Sequence, residues 1–125
     1  MELRKVGSLI FNPSGSRITL SANSIDDLDY RGARSANKGD HDLSKVKHVG
    51  KMCISGTLMS REPFHDWEKV ELPSKIDELC IRLDKVMAEK IGWRFENETK
   101  LISQIKKIKV GKLIVNDEEF DQSIL

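Results

Sequence analysis

The sequence KVGSLIF at residues 5–11 is the first of three copies of one pattern, and the other two are HVGKMCI at 48–54 and KVGKLIV at 109–115. Each copy has a basic residue or His, then Val, Gly, one polar residue and three apolar residues, and each is followed by Asn or Ser. Short apolar runs that end at turn-forming residues are typical of β-strands. We therefore predict that all three copies are strands of one sheet.

The spacing of the copies does not indicate a stacked repeat. Gly7, Gly50 and Gly111 lie 43 and then 61 residues apart, whereas stacked repeats recur at a fixed period. We interpret the copies as separate strands that each start with the same Val-Gly sequence and together form the framework of the sheet. Chance similarity among short strands is the alternative.

The composition indicates one ordinary domain. The chain has 125 residues, a hydrophobic share of 38%, a charged share of 33% and a formal net charge of +1. That length suffices for a single core without disulfides or metals, and the small net charge excludes a strong overall attraction to nucleic acid or membrane. The N-terminus does not resemble a signal peptide, and Cys53 and Cys80 have no zinc or redox spacing. We expect a soluble cytoplasmic protein with free, buried thiols.

The first 47 residues predict a hairpin, a short helix and a loop. Strands at 3–11 and 16–21 are separated by the turn sequence Asn12-Pro13-Ser14-Gly15. A short helix is predicted to start at Asn23 or Ser24, with acidic residues in its first turn. Residues 31–47 have few apolar side chains and are interpreted as a polar loop, which is either functional or disordered.

The remainder predicts one or two strands, two helices and a last strand. The second copy starts a strand at about 49–58, and 67–72 is a candidate for another. Helical spacing of apolar residues from Ser74, with Gly92 as its end, predicts the first helix. The second starts at Asn97 and buries Leu101, Ile102, Ile105 and Ile108. It leads into the third copy, and 116–125 is an acidic tail.

Together these elements predict a single α+β domain. The expected architecture is a small, largely antiparallel sheet of about four to five strands with two C-terminal helices packed on one face.

Catalytic motifs are absent from the sequence. It contains no phosphate-binding Gly-rich loop, Cys-x-x-Cys, His-Glu-x-x-His or Gly-x-Ser-x-Gly. His41-Asp42 and His65-Asp66 each place a His beside an acid, but neighbouring side chains on a strand point to opposite faces. We interpret them as ordinary surface residues and expect no enzyme activity, cofactor or metal.

Basic residues favour a polyanion as the partner. Residues 1–52 carry nine Lys or Arg against six acids, and duplex DNA rewards such clusters through phosphate contacts. A solvated surface would explain the same surplus. The candidate DNA-contacting residues lie on the predicted hairpin and in the loop after it: Arg4, Lys5, Arg17, Arg31, Arg34 and Lys38.

The beginning of the chain resembles a known DNA-binding family. RKVGSLIF at 4–11, SGSRITL at 14–20 and SIDDL at 24–28 are similar to the start of AbrB/SpoVT-type swapped-hairpin regulators. The resemblance covers about the first 30 residues, although Ser21 stands where the family usually has Pro and the polar loop replaces its closing strands. It implies an intertwined homodimer that regulates transcription, with Arg4, Lys5 and Arg17 as the matching DNA contacts.

A second class of function is left open by the C-terminal half. A compact factor of the kind carried by phages and mobile elements would bind a host protein or an anionic small ligand such as a nucleotide. An aromatic-Arg-aromatic triplet can form a binding hot spot, although core packing at a helix junction is the commoner role. The candidate contacts are Trp93, Arg94, Phe95, Lys106 and Lys107.

Overall fold

The computed structural model describes residues 2–11, 18–30, 41–55, 70–82, 89–90, 92, 94–97 and 99–120. The strands are β1 (Glu2–Phe11), β2 (Ile18–Tyr30), β3 (His41–Val46), β4 (Val49–Ser55), β5 (Val70–Glu71), β6 (Lys75–Arg82), β7 (Lys109–Val115) and β8 (Glu118–Phe120). A 3-10 turn spans Phe95–Asn97, and the helix α1 spans Thr99–Lys106.

The strands stack in parallel in the order in which they occur along the chain. β1 pairs with β2, β2 pairs with β3 and β4, these pair with β5 and β6, and β6 pairs with β7, all in parallel. Because β3 and β4 lie end to end against β2, and β5 and β6 lie end to end against them, the sheet has five rungs. We number the rungs 1 to 5 from β1 to β7. This is the strand order of a parallel β-solenoid, in which each repeat contacts its neighbours.

Inward-facing apolar side chains form three columns: two cross all five rungs, and the third runs from rung 2 to rung 5. The register aligns Val6, Ile25, Val49, Ile76 and Val110 in the first column, Leu9, Leu28, Met52, Leu79 and Leu113 in the second, and Tyr30, Ile54, Ile81 and Val115 in the third. In rungs 2, 3 and 4 these side chains are at most 1% exposed. The columns therefore form a large part of the core, which also includes Leu20, Ala22, Leu43, Val46 and Leu72.

One layer between the first two columns is left out of the strand pairing. Its members alternate between glycine and aspartate: Gly7, Asp26, Gly50, Asp77 and Gly111. A Cβ at Gly50 would lie 2.7 Å from the carbonyl oxygen of Asp26, and a Cβ at Gly111 would lie 2.6 Å from that of Asp77. The three glycines of the Val-Gly pattern therefore share one layer, and two of them are required by the close approach of the rung before.

The C-terminal end of the sheet is covered. α1 contacts β7 and buries Leu101 and Ile105, with Ile102 and Ile108 packed against the core. β8 pairs antiparallel with Leu113–Val115 of β7 through a two-residue turn at Asn116 and Asp117, both with positive φ. Phe120 meets the buried Phe95 edge to face, with ring centroids 5.7 Å apart. These contacts close the core beyond rung 5.

The prediction of an α+β fold with a largely antiparallel sheet and two C-terminal helices is wrong. The described chain is mostly strand, and apart from β7 and β8 its strands pair in parallel. β1 and β2 do not form the predicted hairpin, since a hairpin is antiparallel.

Several element predictions need correction for the same reason. The short helix at 24–28 is part of β2, and the polar loop predicted at 31–47 contains β3, while 31–40 lie outside the described residues. The helix predicted from Ser74 is the strand β6 up to Arg82, although Glu89 and Lys90 are helical and Gly92 has a φ of 71°. The second predicted helix coincides with α1.

The prediction that the three Val-Gly copies are strands of one sheet is confirmed: they are parts of β1, β4 and β7. The inference that they are not stacked is wrong. Two further rungs, in β2 and β6, lie between them and carry Asp26 and Asp77 in place of Gly.

Candidate nucleic-acid interface

The structure does not bring the predicted DNA-contacting residues together on a hairpin. Arg4 and the exposed Lys5 lie on β1, and Lys5 is aligned with Ser24 of β2. Arg17, Arg31, Arg34 and Lys38 lie outside the described residues. A hairpin would join the C-terminal end of β1 to the N-terminal end of β2. Because the two strands run parallel, these two ends lie far apart along the pair. The geometric reason for grouping Arg4 and Lys5 with Arg17 is therefore lost.

The alternative contact set is divided between core and surface. Phe95 is 4% exposed and belongs to the core, whereas Arg94, Lys106 and Lys107 are exposed. Trp93 lies outside the described residues. Phe95 therefore does not form an aromatic hot spot on the surface. Lys106 and Lys107 remain as candidate contacts of this set.

One outward-facing column has charges that compensate each other. The register aligns Ser8, Asp27, Lys51, Glu78 and Lys112 on successive rungs, so that the sign of the charge alternates from rung 2 to rung 5. Lys51 Nζ lies 3.5 Å from Glu78 Oε2. Opposite charges directly across neighbouring strands stabilise a sheet, so this column has a structural explanation.

A second group of outward-facing side chains carries only positive charge. We call it the lysine ridge, and it consists of five exposed lysines on rungs 3, 4 and 5 and the segment before rung 5: Lys47, Lys75, Lys106, Lys107 and Lys109. Lys75 and Lys109 are direct register partners. Ser74 connects the ridge, because its Oγ donates to the carbonyl of Lys47 and its own carbonyl accepts from the Lys109 N–H.

Two acidic side chains on rung 4 pair with residues outside the ridge. Asp77 Oδ2 lies 2.9 Å from Nε2 of His48, and Glu78 faces Lys51. Among the ion pairs that join described residues, none includes a lysine of the ridge. Like charges directly opposite each other destabilise a sheet, and none of the ion pairs between described residues compensates the Lys75 and Lys109 pair.

A shallow hollow of about 260 Å³ lies on the same outer face as the compensated column. Its lining includes Asp27, Asp29, Lys51, Cys53 and Arg82. Two carboxylates and two cations leave no clear preference for an anion. Cys53 is the register partner of Cys80, and burial, followed by the neighbouring Cys80, raises the pKa of the Cys53 thiol. A raised pKa lowers the thiolate fraction and so disfavours a reactive cysteine.

Metal and membrane features are not found in the part of the chain that the structure describes. No group of three or more His, Cys, Asp or Glu side chains there is placed to hold a metal ion. None of the described helices combines the length and the apolar character that crossing a membrane requires.

Three residues of the ridge were missed by the sequence prediction: Lys47, Lys75 and Lys109. A signal for two of them was present, since Lys75 and Lys109 directly precede the first apolar residue of their rungs, as Lys5 and His48 do. Recognising Lys75-Ile76-Asp77 as a further copy, with Asp in place of Gly, would have aligned Lys75 with Lys109.

The described fold is a parallel stack of five rungs with the lysine ridge on its surface. No protein-family model, no curated protein and no solved structure matches the chain. The resemblance of residues 1–30 to AbrB/SpoVT-type regulators therefore stays a prediction, and the parallel pairing of β1 and β2 differs from the hairpin that it implies.

Proposed function

We propose that this protein is a non-enzymatic, cytoplasmic DNA-binding protein that contacts duplex DNA with the lysine ridge. The observation that carries the proposal is the register pair Lys75 and Lys109, two exposed like charges on adjacent strands with no acidic partner among the described residues. A role in transcription regulation is the form of DNA binding that the predicted family resemblance favours.

The contrast between the two outward columns supports a role for the ridge in binding. Neighbouring rungs are about 4.8 Å apart, so charges on rungs 3 to 5 are close enough to interact. In one column the signs alternate, and in the ridge they do not. A row of positive charge matches the phosphate backbone of DNA, where binding gains free energy from counterion release.

Duplex DNA fits the ridge better than a single strand does. Single-strand binding depends on aromatic side chains that stack on bases. Of the aromatic side chains that the structure describes, Tyr30 and Phe95 are buried, and Phe120 packs edge to face on Phe95. The ridge therefore offers phosphate contacts without stacking, which predicts binding with weak dependence on base sequence.

The proposal is tested by neutralising two ridge lysines. We expect Lys75→Gln with Lys109→Gln to weaken binding to a mixed-sequence duplex and to reduce the slope of log K against log salt by up to roughly 1.8, since each lost phosphate contact contributes about 0.9. Fluorescence anisotropy across a salt series measures both quantities. Removing both of these adjacent like charges should leave the fold intact, because like charges directly opposite each other destabilise a sheet.

The matched control is Lys51→Gln with Lys112→Gln, which removes the same charge from the compensated column. We expect this variant to bind DNA nearly as well as the wild type. Equal losses in the two double variants would show that only net charge matters, and the absence of salt-dependent binding in the wild type would exclude the DNA proposal.

The alternative function is binding of an anionic small ligand or a host protein. A thermal-shift experiment tests the small-ligand class. A nucleotide that raises the melting temperature of the wild type, with the rise lost in Arg94→Ala, would favour the small-ligand class. The buried position of Phe95 gives no support to that class, so we expect no shift.

A further inference from the structure

The two edges of the sheet differ in how far other elements cover them. At the C-terminal end, β8 pairs with Leu113–Val115, and α1 and Phe120 lie over the core. At the N-terminal end, β1 is ten residues long and, among the described strands, pairs only with β2. None of the other described strands pairs with its outer edge, and proteins normally cover or shorten an edge strand.

The side chains of β1 resemble those of an inner strand. Val6 and Leu9 continue the first two core columns but are only partly buried, whereas Ile25 and Leu28 beside them are at most 1% exposed. Ile10 is 59% exposed and is the large hydrophobic residue that the described surface exposes most. Edge strands that avoid association usually carry charges; β1 has Glu2, Arg4 and Lys5 in its first half, but residues 6–11 carry none.

Gly7 gives a second, independent indication. In rungs 3 and 5, the glycine of this layer makes room for the carbonyl oxygen of the strand on its N-terminal side. Gly7 belongs to the same layer, yet a Cβ built on it would have nothing within 4 Å. β1 therefore has the feature that accommodates a closely stacked strand, at an edge where the described chain provides none.

We propose that β1 pairs with β1 of a second copy of this chain, forming a two-fold symmetric dimer. A head-to-tail stack would need the free edge of β7, and β8 occupies that edge at Leu113–Val115. A head-to-head contact needs only β1, and two-fold dimers are the commonest closed assemblies. The inference does not depend on DNA binding by the lysine ridge.

The inward and outward positions of β1 select the register of the pair. Antiparallel pairing places directly opposed side chains on the same face. Setting Val6 against Leu9 of the partner subunit keeps inward side chains together, and it sets Lys5 against Ile10 of the partner subunit on the outer face. The Lys5 stem then covers the exposed isoleucine, and Gly7 lies next to the two-fold axis, where the backbones approach.

The oligomeric state tests the proposal directly. Sedimentation equilibrium of the full chain without DNA is expected to show a monomer–dimer equilibrium, and Ile10→Lys to weaken it by roughly tenfold or more, because two apolar side chains per dimer lose their burial. The matched control is Ile114→Lys, which lies in the same outward column on rung 5, opposite Glu119. This variant should dimerise like the wild type.

Cross-linking tests the register. The variant Lys5→Cys with Ile10→Cys should form a covalent dimer under mild oxidation, whereas Lys5→Cys alone should not, since the two copies of residue 5 lie far apart in this register. A monomeric wild type at all accessible concentrations, or an unchanged dimer in Ile10→Lys, would overturn the proposal. Equal cross-linking of the single and double cysteine variants would overturn the register.

Discussion

At the scale of single residues, the buried Tyr30 shows how the core columns impose a protonation state. Its side chain is fully buried in the third column beside Ile54, and burial raises the pKa of its hydroxyl well above the ordinary value of 10.0. The pKa of Cys53 is raised in the same sense from 9.0, again first by burial. In both groups, burial favours the neutral form.

The pKa of Tyr30 predicts a loss of stability at alkaline pH. A group with a raised pKa in the folded state contributes stability below its unfolded pKa, and that contribution is lost as pH rises above it. Between pH 10 and 11 we expect the free energy of unfolding to fall by about 1 kcal/mol more in the wild type than in Tyr30→Phe.

Urea unfolding at a series of pH values measures this difference. Both proteins retain Cys53 and the lysines, so their titrations cancel in the comparison. Parallel pH profiles for Tyr30→Phe and the wild type would show that Tyr30 ionises in the folded state as it does in the unfolded chain.

At the scale of elements, the layer of Gly and Asp explains both the successes and the errors of the sequence prediction. Because this layer is skipped in the strand pairing, inward residues lie three apart, as Ile25 and Leu28 or Ile76 and Leu79 do. Three is also a helical spacing. In the rungs with Asp, the acidic residue at this position is typical of the first turn of a helix, so a helix was predicted. In the rungs with Gly, the same spacing of apolar residues was interpreted as a strand.

The same layer predicts which glycines tolerate a side chain. Gly50→Ala is expected to destabilise the fold by about 1–3 kcal/mol. The added Cβ would clash with the Asp26 carbonyl oxygen, and moving well-packed backbone to relieve such a clash costs free energy of this order. Gly111→Ala should behave similarly, since its contact is with the Asp77 carbonyl. Gly7→Ala has open space and should stay within about 0.5 kcal/mol of its parent.

These comparisons are made by urea unfolding in the Ile10→Lys background, which keeps the chain monomeric. Equal destabilisation by the three substitutions would mean that glycine acts through the unfolded chain and not through the close contact. In the wild-type background, Gly7→Ala should additionally weaken the dimer.

At the scale of the whole molecule, the parallel stacking could not be derived from the sequence. The apolar pattern located most strands, α1 and its buried residues Leu101 and Ile105. It did not reveal which strands are neighbours, because the connections between successive rungs differ in length and hide the repeat. The lysine ridge was missed for the same reason, as Lys75 and Lys109 are 34 residues apart in the chain and adjacent only in the register.

Stacked rungs predict that local opening starts at the uncovered end. Each rung is stabilised mainly by its neighbours, and rung 1 has a neighbour on one side only among the described strands. In the monomeric Ile10→Lys variant, we expect amide hydrogens of β1 to exchange at least about tenfold faster than those of β4 and β6.

Hydrogen exchange resolved by residue or by peptide measures this gradient. The wild type at high concentration is the companion sample, since dimerisation should slow exchange in β1 and leave α1 unchanged. Uniform protection from β1 to β7 in the monomer would mean that the five rungs open as a single cooperative unit.

The alternation of Gly and Asp has a consequence for how such a chain could lengthen during evolution. The rungs with Asp also carry the acids of the compensated column, Asp27 and Glu78, and the following rungs with Gly carry Lys51 and Lys112. A single inserted rung would set like charges against each other and place two bulky layers in contact. Duplication of a pair of rungs would preserve both alternations, so homologues of different length should differ by even numbers of rungs, in steps of about 9.6 Å.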